Sequence, residues 1–193
     1  MFERIISAFT FRAGVYKEVE EDSTFTPTAW MIVAAAAFLS ALGTNAELNR
    51  HLGTGRWILS AVISAIFAML GFALACFVVD WVGRTFFNAE VSFDEVVRTL
   101  GLAYVWNVIG LLGILSLITP VLGCATGIFR FAGWVAGFIA WLIAAKEALD
   151  LEWPQTIGTI IIGWVVTAVV MAISGLILGA LGLAGAAAFG AFS

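Results

Sequence analysis

The stretch DWVGRTFFNAEVSFDEVVRTLGLAY, from Asp80 to Tyr104, is the longest polar interruption between two strongly apolar runs. It contains four acidic residues and two arginines. Within it, Ser92-Phe93-Asp94-Glu95 has the S-x-x-E spacing of a capping box, in which the serine hydroxyl accepts from an amide at the helix start and the glutamate reaches back. Asp94 and Glu95 also lie where a helix dipole favours negative charge. The sequence therefore predicts a surface loop, and then a helix that begins at Ser92 and continues into the next apolar run.

The composition indicates an integral membrane protein. Of 193 residues, 62% are hydrophobic and only 11% are charged, whereas about 25% are charged in a soluble domain. A bilayer core about 30 Å thick needs roughly 20 apolar residues per helix, and several runs of that length are present. Barrel strands would alternate over segments of about ten residues, a pattern that is missing here. We predict an all-α polytopic membrane helix bundle, and the net charge of −4 does not suggest a nucleic-acid partner.

The chain divides into an N-terminal amphipathic segment, 1–26, and a five-span transmembrane domain, 27–193. In the first segment apolar residues recur at helical spacing opposite a polar side, which favours a helix lying in the membrane interface. These apolar residues are Phe2, Ile5, Ile6, Phe9, Ala13 and Tyr16. A signal peptide is the competing interpretation, but no uninterrupted apolar core follows Arg4 and no small-residue cleavage site appears.

Five spans follow from the apolar runs and their Trp and Pro boundaries. They are predicted at about 27–44, 57–79, 96–118, 128–148 and 155–177. A Gly/Cys/Thr-rich turn, 123–127, is predicted before the fourth span, and the Gly/Ala-rich tail after the fifth is left unassigned. Asp80 and Arg84 are four residues apart, so they pair if the second span continues for one more turn. Cys76 and Cys124 are expected on opposite membrane faces, which predicts two free thiols.

Orientation follows from the basic residues near the span ends. One face collects six of them, Arg4, Arg12, Lys17, Arg84, Arg98 and Lys146, and the other collects three, Arg50, Arg56 and Arg130. This asymmetry predicts a cytoplasmic N-terminus. All acids except Glu47 fall on that same face, which argues against docking to anionic lipids as the main task and allows a basic partner.

No motif of catalysis, metal binding or cofactor binding is present, so we predict no such residues. The one histidine, His51, is in a short loop and is expected to be solvated. Asn107 is the most notable polar residue at membrane depth, and an interhelical hydrogen bond is its expected role, as for Ser64, Thr167 and Ser174. Two small-residue faces, Gly133-x-x-x-Gly137 and Gly175-x-x-x-Gly179, favour close packing, either within the bundle or against another subunit.

Several segments together resemble the Yip domain family, the Ypt/Rab-interacting membrane proteins, in its short-tailed prokaryotic form. These are VSFDEVVRTLGLAY (91–104) opening the third span, AAKEALDL (144–151) closing the fourth, QTIGT (155–159) beginning the fifth, and VYKEVEED (15–22) before the first. The resemblance implies a five-helix bundle, a non-enzymatic scaffold role and a bacterial plasma membrane. Eukaryotic members bind prenylated Rab-type GTPases. This chain lacks their long cytosolic tail and D-L-Y-G-P motif, and Tyr104-Val105-Trp106-Asn107 stands where a third-span proline is common.

The leading hypothesis is a non-catalytic membrane protein, surrounded by membrane lipids, that binds other integral membrane proteins. The predicted contact surface consists of Asp80, Arg84, Asp94, Glu95, Arg98, Lys146 and Glu147. The alternative for these residues is that they pair with one another and hold the bundle together. Two further hypotheses are an accessory subunit of a larger respiratory or photosynthetic complex, and a small-molecule permease or lipid-handling protein.

Overall fold

The computed structural model describes residues 2–12, 14–46 and 53–181, without the side chains of Phe2, Pro120 and Cys124. Within these ranges every regular element is a helix, which confirms the all-α prediction. The elements are α1 (Phe2–Phe9), α2 (Gly14–Glu21), a 3₁₀ turn (Ser23–Phe25), α3 (Thr26–Thr44), α4 (Thr54–Phe87), α5 (Phe93–Ala103), a 3₁₀ helix (Tyr104–Leu117), α6 (Pro120–Leu149) and α7 (Trp153–Ala180). The predictions for Glu47, Arg50, His51 and the Gly/Ala-rich tail from residue 182 lie outside the described residues.

Five helical stretches are long and apolar enough to cross a membrane, as predicted. They are Ser23–Thr44, Thr54–Phe87, Phe93–Leu117, Val121–Leu149 and Trp153–Ala180. The second packs mainly on the fifth, and the third lies between the first and the fourth. The protein is therefore a helix bundle in which the third span has an interior position.

The second span is longer than predicted, because α4 continues to Phe87. Asp80 and Arg84 consequently lie on the helix, and the predicted surface loop is wrong over 80–87. Asn88 ends α4 in the left-handed region with φ of 52°, which asparagine tolerates better than most residues. The true link to the third span is the short segment 88–92.

The fourth span also begins earlier than predicted. α6 begins at Pro120, and the Thr119 hydroxyl accepts a hydrogen bond from the Leu122 amide at 3.3 Å. Proline suits the first helical position, because its missing N–H would have no intrahelical partner there. The predicted turn at 123–127 is therefore wrong, since these residues form early turns of α6, and Cys124 lies on a helix. Cys76 is a buried free thiol inside α4.

The third span changes helix type along its length. Its first part, α5, begins with the predicted capping box at Ser92. From Tyr104 to Leu117 it becomes a 3₁₀ helix of 14 residues, whereas such helices rarely exceed three or four residues. Residues three apart share one edge of a 3₁₀ helix, so Gly110 and Gly113 face the same neighbour. That neighbour is α3, where a Cβ on Gly110 would collide with Ser40 and a Cβ on Gly113 would collide with the backbone of Gly43.

The predicted N-terminal amphipathic helix is two short helices separated near Phe11, whose φ is 54°. Residues 2–12 and 14–22 are called the arm below. Tyr16 and Val19 are fully buried, and the rings of Phe9 and Phe11 lie 5.0 and 5.1 Å from that of Trp106. Much of the apolar side of the arm therefore packs on the bundle instead of on lipid.

Candidate functional site

The arm end of the bundle carries the arm, the 88–92 link and the 150–152 link. Arg98 is its most buried charged residue among those the structure describes, at 6% exposure. The guanidinium donates to the carbonyls of Val19, at 3.0 Å, and Glu20, and to the Thr26 hydroxyl at 3.3 Å. The two carbonyls end α2, where the helix dipole favours a cation. Arg98 thus holds the arm against the third span.

Glu95 and Asp94 are neighbours at the start of α5 but have different contacts. The Glu95 carboxylate accepts from the Ser92 amide at 2.6 Å, and the Ser92 hydroxyl accepts from the Glu95 amide at 3.4 Å. Glu95 also lies 3.9 Å from the Arg98 guanidinium. Asp94 is exposed on the surface. Glu95 therefore serves the helix start, while Asp94 presents its charge to solvent.

Asp80 and Arg84 form the predicted i,i+4 ion pair on α4. The Arg84 guanidinium lies 3.7 Å from the Asp80 carboxylate, and the Arg84 side chain is 60% exposed. Asp80 is buried, and its Oδ1 has no hydrogen-bond partner among the described residues. The pair therefore has a buried acid and a solvent-facing base.

Lys146 and Glu147 lie at the end of α6, beside the arm. The Lys146 ammonium lies 5.6 Å from the centre of the Trp153 ring, a cation–π contact. Glu147 is partly exposed. Lys17 of the arm reaches Asp150 at 3.8 Å, which links the arm to the end of α6. The seven predicted site residues thus lie at one end of the bundle, but Arg98 and Glu95 are engaged in contacts within the chain.

Two acids of the arm have shifted pKa values. Hydrogen bonds from the Thr24 hydroxyl and from Arg4 lower the pKa of Asp22, and the Arg4 guanidinium lies 2.7 Å from the Asp22 carboxylate. Burial raises the pKa of Glu20, against the opposing charge of Lys17. Protonation of Asp22 therefore weakens its contacts with Arg4 and Thr24, whereas protonation of Glu20 favours its half-buried position.

Asn107 makes no interhelical hydrogen bond to any residue that the structure describes, contrary to the prediction. Its amide donates at 3.1 Å to the carbonyl of Tyr104, in its own helix, because the 3₁₀ geometry brings these groups to one edge. Interhelical bonds are made instead by Asn45, which donates to the Ser64 hydroxyl at 3.1 Å, and by Thr167, whose hydroxyl lies 3.5 Å from the Gly71 carbonyl. The interhelical prediction is confirmed for Ser64 and Thr167.

A cavity of about 520 Å³, which was not predicted from the sequence, lies beside Asn107. Five spans contribute to its lining, which combines aromatic rings with a few polar groups at the end away from the arm. Gly133 and Gly137 of the predicted small-residue face border it, and a Cβ on Gly133 would lie 2.7 Å from Ile109. This face therefore packs within the bundle. A Cβ added at Gly175, in the second predicted small-residue face, would meet no described atom within 4 Å.

The part of the chain that the structure describes contains no group of three His, Cys, Asp or Glu side chains that could hold a metal ion.

A sequence model of the Yip1 domain matches residues 7–175, which is most of the chain. No curated protein and no solved structure matches the chain.

Proposed function

We propose that this chain, which belongs to the Yip1 domain family, is a non-catalytic multi-pass membrane scaffold that binds another membrane protein at its arm end. The observation that carries this proposal is a charged surface assembled from three separate segments and held by contacts within the chain. Arg98 fixes the arm to α5, and Lys17 fixes it to Asp150. A surface held in this way loses less conformational entropy when a partner binds.

The proposed contact residues are the charged side chains that remain solvent-facing. Asp94 is exposed, Glu147 is partly exposed, and Arg84 reaches solvent from the Asp80 pair. The arm end carries twelve acids against six bases. Complementary charge increases the association rate and excludes like-charged partners, so the proposed partner presents basic residues close to the membrane. We propose that this end faces the cytoplasm, because the basic residues also favour it.

Site-specific crosslinking in membranes tests the proposal. A photo-crosslinking side chain at position 94 or 147 is expected to capture one integral membrane protein, while the same group at Val165, on the lipid-facing side of α7, captures none. The captured protein is then purified and its affinity for the full chain measured in nanodiscs. The double variant Asp94→Lys, Glu147→Lys is expected to bind at least about tenfold more weakly.

Arg56→Glu supplies the matched control, since Arg56 is also exposed but begins α4 at the opposite end. It is expected to bind normally. Unchanged affinity in the double variant would refute the charged surface. Purification with a pigment or redox complex at fixed stoichiometry would support the accessory-subunit hypothesis in place of the scaffold.

A further inference from the structure

The cavity beside the 3₁₀ helix has the size of a ligand site. Its volume is about 520 Å³, and small-molecule sites in proteins span about 300–1,000 Å³. It is bounded by α3, α4, α6, α7 and the 3₁₀ helix. Tyr104, Asn107 and Gly110 line it along one edge of the 3₁₀ helix, and Trp106 and Ile109 line it along a second edge. The unusual helix type therefore shapes this wall.

One end of the cavity is aromatic and apolar. Trp134 and Trp164 make an edge contact at 5.4 Å, and Trp141 lies 6.1 Å from Trp164. Trp141 is only 5% exposed, whereas Trp134 is 57% exposed, so this end runs from the interior of the bundle to its outer surface. Ala68 and Ala168 add small apolar walls. Such a surface favours hydrocarbon over water.

The other end of the cavity carries polar groups and one cation. The Arg130 guanidinium lies 3.4 Å from the Thr44 hydroxyl, beside Asn45 and Ser64. Among the described acids, none lies within ion-pair distance of Arg130. Arg130 and Leu149 are separated on α6 by about 29 Å at 1.5 Å per residue, which is about the thickness of a bilayer core. With Leu149 at the arm-side boundary, this separation puts Arg130 near the opposite boundary.

We propose that the cavity binds a phospholipid, with its phosphate on Arg130 and one acyl chain among the tryptophans. Guanidinium forms bidentate, charge-assisted hydrogen bonds with phosphate. Thr44, Asn45 and Asn107 supply further groups that hydrogen-bond a head group. The aromatic end takes a single chain, because the cavity is too small for a whole lipid and its other chain stays in the bilayer. This site lies at the end opposite the scaffold surface and does not depend on it.

Tryptophan quenching measures the proposed binding directly. The full chain in detergent micelles is titrated with lysophosphatidylglycerol that carries a brominated acyl chain, and with a neutral monoacylglycerol that carries the same chain. The anionic probe is expected to quench the tryptophan fluorescence and to bind about tenfold more tightly than the neutral probe. Arg130→Gln removes this difference, and Arg130→Lys retains part of it. Arg12→Gln, on the exposed side of the arm, leaves both affinities unchanged.

A matched pair of variants on α7 tests where the acyl chain of the probe lies. Ala168 lines the cavity, whereas Val169 is 55% exposed and lies off it. Ala168→Phe is expected to abolish the saturable quenching by the anionic probe and to leave the non-specific quenching of the exposed tryptophans Trp81, Trp134 and Trp153. Val169→Phe is expected to keep both. Native mass spectrometry of both variants checks that each is folded and counts the bound probe.

Three outcomes would overturn the proposal. Equal affinity of Arg130→Gln for the two probes would remove the phosphate contact. Unchanged saturable quenching in Ala168→Phe would show that the acyl chain binds outside the cavity. We expect glycerol 3-phosphate not to compete with the lipid probe. Competition as strong as that of the lipid would show that the site binds only the phosphate group and not the acyl chain.

Discussion

The two halves of the third span hold the bundle together in different ways. α5 uses side chains: a capping box starts it, eight of its residues are buried, and Arg98 bonds it to the arm. The 3₁₀ helix uses its backbone, since Gly110 and Gly113 bring it against α3, while only two of its 14 residues are buried. The first half therefore fixes the arm, and the second packs on α3 and forms one wall of the cavity. The comparison teaches that one apolar run contains both an anchor and a cavity wall.

The largest expected effect comes from filling the contact between the 3₁₀ helix and α3. Gly113→Leu forces a side chain into the backbone of Gly43, and we expect the free energy of unfolding to fall by about 3 kcal/mol or more. Steric-trap unfolding in bicelles measures this. Gly175→Ala is the control, because its Cβ enters open space, and the helix gains up to about 1 kcal/mol. Wild-type stability in Gly113→Leu would show that the backbone contact is not needed.

The next effect concerns the anchor. Arg98→Met leaves the Val19 and Glu20 carbonyls without their charged donor, which costs about 2 kcal/mol. We expect the arm to undock while the spans persist, so hydrogen exchange of residues 14–21 accelerates. Arg56→Met removes an exposed charge of the same type at the other end of the bundle and changes stability by less than about 1 kcal/mol. Equal exchange in both variants would contradict the anchoring role of Arg98.

A smaller effect is expected at the capping box. Ser92→Ala removes the acceptor for the Glu95 amide and lowers the free energy of unfolding by about 1 kcal/mol. Glu95→Gln keeps a side chain that suits the box, so its loss is smaller. The same steric-trap measurement ranks the two. A larger loss in Glu95→Gln would show that the carboxylate acts chiefly through Arg98.

The smallest effect is the response of the arm to pH. The pKa of Asp22 is lowered, so its contribution to the folded arm is present above the ordinary carboxyl pKa and is lost as the pH falls through the lowered value. The pKa of Glu20 is raised, so its contribution is present below the ordinary value and is lost as the pH rises through the raised value. We expect the strongest exchange protection of residues 14–21 between the ordinary pKa values of an aspartate and a glutamate, at about pH 4. The measured rates are corrected for the intrinsic pH dependence of exchange.

Two variants separate these pH limits. Glu20→Gln is expected to remove the loss of protection on the alkaline side, and Asp22→Asn the loss on the acidic side. A pH profile that neither variant changes would exclude these two groups as its cause.

The sequence predicted the features that depend on local patterns. The five spans follow from the length of the apolar runs, and the start of α5 follows from Ser92 and Glu95, which are close in sequence. The 3₁₀ helix was missed because an apolar run such as 104–117 fits a period of 3.0 as well as 3.6. The early start of α6 was missed because its glycines suggested a turn, although Pro120 begins the helix.

The candidate sites were less predictable, because they depend on contacts between distant segments. Arg98 was assigned either to the contact surface or to pairing with its charged neighbours, whereas its main partners are backbone carbonyls of the arm, which have no sequence signature. The cavity requires Gly133, Gly137 and the 3₁₀ helix to meet, and no single segment encodes that meeting. Asn107, Ser64 and Thr167 were noted from the sequence and line the cavity, but nothing predicted that they meet there.

The three-residue repeat of the 3₁₀ helix restricts how this protein can change in length. Each residue there turns the chain by about 120° and advances it by about 2 Å. Insertion of a single residue before Gly110 would rotate both contact glycines away from α3, whereas insertion of three would restore their direction and displace them by about 6 Å. Tolerated insertions or deletions in 104–117 are therefore expected to come in multiples of three.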